Sequence, residues 1–185
     1  MKILSMAGND LRLKILTDSD TEIAHLYFRE NQQHLLPWEP SRPDDFYNAE
    51  VIQQRLWQTG KDAEQGRAYQ FGIVNGAGTE MLGACNFTQV ARGPFQACHL
   101  GYSIAARHEG KGIMTQALTA AIGHLFGELG LHRIMAAYIP TNGRSEKLLL
   151  RLGFEKEGYA KSYLKIAGRW QDHVLTSLIN PQHTE

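Results

Sequence analysis

Long apolar runs are missing from this chain. No stretch of its 185 residues approaches the roughly 20 consecutive apolar positions that carry a helix across a bilayer. Residues 1–8 also lack the charged start and apolar run of a secretory leader. The expectation is a cytoplasmic protein with no membrane partner. Cysteine is scarce as well: Cys85 and Cys98 stand alone, each inside a strand-like run, with no C-x-x-C pair and no His-rich spacing beside them. That pattern speaks against a disulfide framework and against a bound metal, and reads as two small hydrophobes in a reducing compartment. Net charge is absent too. Lys plus Arg and Asp plus Glu number 19 each, so the basic excess that holds nucleic-acid phosphates is missing, and direct nucleic-acid binding is not expected. Neither G-x-x-x-x-G-K-[ST] nor G-x-G-x-x-G occurs, which sets aside the Walker and Rossmann nucleotide folds.

What is present is the composition of an ordinary globular domain, 43% hydrophobic and 21% charged, at a length that suits one domain over residues 1–185. Residues 11–16 (LRLKIL) alternate apolar and polar side chains, a strand signal, and residues 17–20 (TDSD) supply caps for a helix over 21–31. Residues 34–43 hold three of the six prolines and read as a constrained loop. Asp44 and Asp45 then open a helix with Val51, Ile52, Leu56 and Trp57 at helical spacing. Residues 69–74, 80–90 and 95–104 form an antiparallel meander, followed by an amphipathic helix with an apolar stripe from Met114 to Leu125. A strand over 132–139, a short helix over 143–152 and a hairpin of 154–166 with 169–178 complete the order. The fold class is α/β (α+β): a mixed, mainly antiparallel sheet of about seven strands with one parallel pair and flanking helices.

The most informative segment is residues 107–112 (RHEGKG), directly after a strand and at the mouth of the amphipathic helix. Glycines there let the backbone approach a ligand, and the unpaired N–H groups of a first helical turn favour an anion such as a pyrophosphate. Arg107 and Lys111 would add charge. A tight strand-to-helix connection with no ligand fits the same six residues.

A second segment narrows the choice. R-x-x-G-x-G at 107–112, N-x-x-S at 142–145 and L-G-F-x-x-E-G at 152–158 together resemble the GNAT superfamily of N-acetyltransferases, in its Rim branch. Residues 37–40 (PWEP), 97–104 (ACHLGYSI) and 153–161 (GFEKEGYAK) are similar to the ribosomal-protein-alanine type within that branch. The resemblance spans nearly the whole chain. It implies the GNAT fold with the parallel pair splayed at the cofactor site, acetyl-CoA as co-substrate, and the N-terminal alanine of a small-subunit ribosomal protein as acceptor. A small amine (polyamine, amino acid or aminoglycoside) as acceptor, and a ribosome assembly factor that binds acetyl-CoA without turnover, are the competing expectations. The oligomeric state is not legible.

Carried over position by position, the resemblance implies that the strand Leu100, Gly101, Tyr102, Ser103 and Ile104 receives the pantetheine, with a backbone N–H near Tyr102 facing the thioester oxygen. Arg107, His108, Glu109, Gly110, Lys111 and Gly112, running on to Ile113 and Met114, would hold the pyrophosphate. Asn142, Arg144 and Ser145 would meet the far end, with Ser145 the candidate proton donor to the departing thiolate. Asn142 and Ser145 are equally at home as helix caps. Many relatives carry a Glu two residues before Gly101, where this chain has His99, which is either a base of ordinary pKa near 6.5 or a structural strand residue. Trp38 and Glu39 are candidates for the acceptor pocket, with Asn86 beside them, although Trp38 fits equally as a core plug. Tyr159 and Tyr163 either close the site or pack. Charge divides along the chain: residues 1–66 hold 7 basic and 11 acidic side chains and residues 67–185 hold 12 and 8. The signs suit an acidic part that receives an amine and a basic part that holds phosphates.

Overall fold

The computed structural model describes residues 3–6 and 10–183. Residues 1, 2 and 7–9 of the N-terminal stretch lie outside them. One mixed sheet of eight strands forms in the order β1-β2-β3-β4-β5-β6-β8-β7, from β1 (Ile3–Ser5), β2 (Leu11–Ile15), β3 (Tyr69–Asn75), β4 (Met81–Ala91), β5 (Ala97–Ile104), β6 (Arg133–Tyr138), β7 (Glu155–Ile166) and β8 (Arg169–Ile179). Every adjacent pair is antiparallel except β5 with β6. The count exceeds the expected seven by β1. Its three residues are too few to display a period-two pattern.

Alternation along the strands feeds two cores. In β2, Leu13 and Ile15 are buried while Arg12 and Lys14 are less so. α4 (Ile113–Gly127) covers one face, burying Met114, Ala117, Leu118, Ala121 and Leu125 against Phe71, Cys85, Phe87 and Ile134. α5 (Gly143–Arg151) adds Leu149 to that core. The other face receives α1 (Thr21–Glu30) and α3 (Ala49–Glu64), where Ala24, Tyr27, Ile52 and Leu56 pack on Val74, Ala84 and Ala105. Cys85 and Cys98 are buried free thiols.

Two expectations need correction. The proline segment is not loop throughout: α2 (Gln32–Leu35) reaches into it and a single 3-10 turn spans Leu36–Trp38. Pro37 sits in the first positions of that turn, where its missing N–H has no partner to lose. Trp57 does not join the apolar face of α3. It is 55% exposed, with the Lys61 ammonium above its ring, because the buried line runs through Ile52, Leu56 and Thr59.

Candidate active site

The site begins where the sheet comes apart. β5 and β6 pair only from Ala97 opposite Arg133 to Leu100 opposite Ala136. Beyond that point β5 follows β4, with Gly101 opposite Asn86 and Ile104 opposite Gly83, while β6 follows β8. Residues 101–104 therefore have a neighbour on one side only. Ala105 N–H donates to Leu82 O on the β4 side, so by alternation Tyr102 and Ile104 direct their peptide groups into the gap. A ligand carrying amides can hydrogen-bond there as a strand would.

A cavity of about 860 Å³ lies at the gap, lined by residues from both faces of the sheet. Side chains alternate along β5, so Tyr102 and Ile104 face α4 and α5 while Ser103 faces α1, yet all three line the same cavity.

On the α4 side the wall is built for an anion. Gly110 and Gly112 hold φ of 72° and 74°, a left-handed conformation that costs other residues strain, and a Cβ at either would meet open space. Gly112 is the N-cap of α4 and brings no capping side chain, so the first-turn N–H groups of Ile113, Met114 and Thr115 remain available where those residues line the cavity. Arg144, Lys147 and Arg151 contribute a cationic edge from α5. Glu109 also lines this wall, its carboxylate paired with Arg144 and 3.4 Å from His34 Nε2. The turn is braced from behind: Glu80 accepts from His108 Nε2 at 2.6 Å and Arg107 Nη2 at 2.9 Å, and Arg107 reaches Glu30 at 2.8 Å. His108 and then Arg107 hold the Glu80 carboxyl below its ordinary range.

Deeper on the same face, Tyr102 Oη and Ser145 Oγ are 2.5 Å apart. Burial pushes the Tyr102 phenol up to about 12, which keeps it a proton carrier at neutral pH. Ser145 is placed by its helix: Asn142, the N-cap, accepts from Ser145 N–H at 3.1 Å, leaving the hydroxyl for the cavity.

The α1 side is lined by His34, Leu35, Trp38, Glu39 and Ser103. Arg42 Nη2 and Nε donate to Glu39 Oε2 at 2.7 and 3.2 Å. Ala167 N–H, at the tip of the β7–β8 hairpin, donates to Glu39 O at 3.0 Å. Tyr27 Oη donates to Ser103 Oγ at 2.9 Å.

Of the residues singled out by sequence, Tyr102, Ser103, Ile104, His108, Glu109, Gly110, Gly112, Ile113, Met114, Asn142, Arg144, Ser145, Trp38 and Glu39 meet around this one cavity. Leu100 is the last residue of the parallel pairing and Gly101 the first beyond it, and neither lines the cavity. Arg107 turns away to Glu30 and Glu80, and Lys111 is exposed off the wall. His99 shares the face of Ser103 but stands four residues back, roughly 13 Å along the strand. It lies inside the paired stretch, where partial burial lowers its pKa. Asn86 pairs with Gly101 on that face and does not line the cavity. Tyr159 and Tyr163 are exposed on β7. Sequence reading missed Lys147 and Arg151, which the i, i+3, i+7 spacing from Arg144 would have revealed, and Tyr27, for which no local signal exists.

Known proteins resemble this chain in sequence and in fold. The family model for the acetyltransferase (GNAT) domain matches residues 10–155. The [ribosomal protein uS5]-alanine N-acetyltransferase of Escherichia coli is 47% identical over 174 residues, covering 94% of this chain and 90% of that protein. Among solved structures, the ribosomal-protein-S5-alanine acetyltransferase of Vibrio fischeri superposes with a TM-score of 0.94 at 39% identity over 100% of both chains. The RimJ of Mycobacterium smegmatis, solved with a CoA disulfide, gives 0.88 at 28% identity over 100% of this chain and 88% of that one.

Proposed function

Because this chain belongs to the GNAT family of acetyltransferases, we propose that it moves the acetyl group of acetyl-CoA onto the N-terminal α-amine of a protein, the alanine that opens ribosomal protein uS5. The observation that carries the proposal is the single cavity at the free end of β5, where the glycine turn before α4 and the Glu39 carboxylate line the same space. Such a cavity lets two substrates meet at β5.

The residues present suit a CoA thioester. Gly110, Gly112 and the first turn of α4 receive the pyrophosphate, and Arg144, Lys147 and Arg151 add positive charge at the outer end. Tyr102 and Ile104 pair with the pantetheine amides through their backbones, in the gap left by β6. Bound there, the thioester supplies an activated acetyl carbon. The Tyr102 N–H faces the carbonyl oxygen and stabilises charge that grows on it. The Tyr102–Ser145 hydroxyl pair delivers a proton to the sulfur as the C–S bond breaks. On the other face, Glu39 attracts the acceptor ammonium and the ring of Trp38 walls its approach. A free α-amine has a pKa near 8, so about a tenth is already neutral at pH 7 and a strong base is not required.

The test is incubation with acetyl-CoA and a peptide matching the uS5 N-terminus, following thiol release and peptide mass. Acetylation at the α-amine is the expected result. Release with a polyamine, amino acid or aminoglycoside but not with the peptide would replace the acceptor, and binding of CoA with no transfer to any amine would replace the activity.

A further inference from the structure

Two tyrosine–serine hydroxyl pairs flank neighbouring residues of β5. Tyr102 meets Ser145 on the α5 side, and Ser103 meets Tyr27 on the α1 side. The first pair serves the leaving group. We infer that the second serves the nucleophile: Ser103 accepts a hydrogen bond from the acceptor's amine, and Tyr27 holds Ser103 in place to do so. This rests on the acetyl-transfer reading above and assigns the other half of the site.

The geometry supports it at three points. Ser103 lines the cavity on the face that also carries Glu39 and Trp38. Tyr27 is 2% exposed, and burial pushes its phenol far above the ordinary range, so it acts as a fixed donor toward Ser103 Oγ. α1 is then fastened to the end of β5 a second time, because Asn31 Oδ1 accepts from Ala106 N–H at 3.0 Å while Asn31 Nδ2 donates to Tyr27 O at 2.9 Å. Tyr27 therefore has little freedom to follow Ser103 if the serine moves.

A serine oxygen has two lone pairs. Tyr27 occupies one, and the other is left for an N–H of the neutral amine, which aims the nitrogen lone pair at the thioester carbon. As the C–N bond forms and the C–S bond breaks, the electron pair leaves on sulfur. The nitrogen sheds one proton, which passes along the Ser103 hydrogen bond to water. The sulfur gains one, supplied through Ser145, so the protons balance. Ser103 touches the substrate; Tyr27 is a positioning residue.

The experiment uses the full chain, acetyl-CoA and the Ala-initiated uS5 peptide. Ser103→Ala is expected to lower kcat for the peptide about tenfold while the acetyl-CoA Kd from calorimetry stays within twofold. Ser103→Thr, which keeps the hydroxyl, restores most of the rate. Tyr27→Phe lowers kcat on its own, yet adds little to Ser103→Ala, since both remove the same hydrogen bond. A merely structural tyrosine would instead give losses that multiply. A Ser103→Ala rate within twofold of wild type, or multiplying losses, overturns the inference. If the wild-type chain acetylates a small amine and leaves the peptide alone, the acceptor reading fails separately, and the same variants are read on that amine.

Discussion

Tyr102 and Ser145, 43 residues apart in sequence, share one hydrogen bond across the cavity, 2.5 Å from oxygen to oxygen. It joins the splayed strand to the first turn of α5, and neither hydroxyl is needed for the helix cap, which uses the Ser145 backbone. Ser145→Ala is therefore expected to leave folding intact and to cut kcat by about 10- to 100-fold with little change in acetyl-CoA affinity. Steady-state kinetics beside calorimetric Kd values check this, and equal losses in both would remove the proton role. Asn142→Ala should behave differently, costing about 1 kcal/mol of stability through the lost cap.

Gly110 carries φ of 72° with open space where a side chain would stand. Gly110→Trp adds about 1 kcal/mol or more of backbone strain and fills the turn, so acetyl-CoA binding is expected to disappear while circular dichroism stays native. Unchanged affinity would take the turn out of the anion site.

Glu39 is held by Arg42 and lines the α1 side. In Glu39→Gln the peptide KM is expected to rise about tenfold while the acetyl-CoA KM is unchanged, because the carboxylate that draws the cationic acceptor is gone and the Arg42 charge beside it is left uncompensated. An acetyl-CoA KM that rises equally would place Glu39 outside the acceptor half.

Glu80 braces the anion turn through His108 and Arg107, and its folded pKa lies below the ordinary value of 4.5. The carboxylate's contribution is complete above the ordinary glutamate range and is lost as pH falls through the depressed folded value. Wild type should thus bind acetyl-CoA more tightly than Glu80→Gln at pH 7, and that advantage should shrink as the pH is lowered through the depressed value, measured by calorimetry from pH 7 downward. Identical acid profiles would show that the brace is idle.

Much of this was legible beforehand. Element order followed from period-two strands and the Met114 to Leu125 stripe, and the anion turn from glycines placed between a strand and a helix. The rest depended on contacts that sequence spacing does not encode. Arg107 was expected in the cavity because it is basic and adjacent, yet Glu30 and Glu80, distant in sequence, claim it. His99 was a candidate base by position, but the register keeps it within the paired part of β5. Tyr27 was invisible because its partner lies 76 residues away.

The parting of β5 from β6 leaves an architecture one rung short of complete. A guest that bonds to Tyr102 and Ile104 finishes the sheet, so occupancy and resistance to unfolding rise together, by about 2.7 kcal/mol when the thioester stands at a hundred times its Kd. CoA carries the same pantetheine with or without the acetyl group, so either form is expected to raise the unfolding temperature of the chain by completing the sheet.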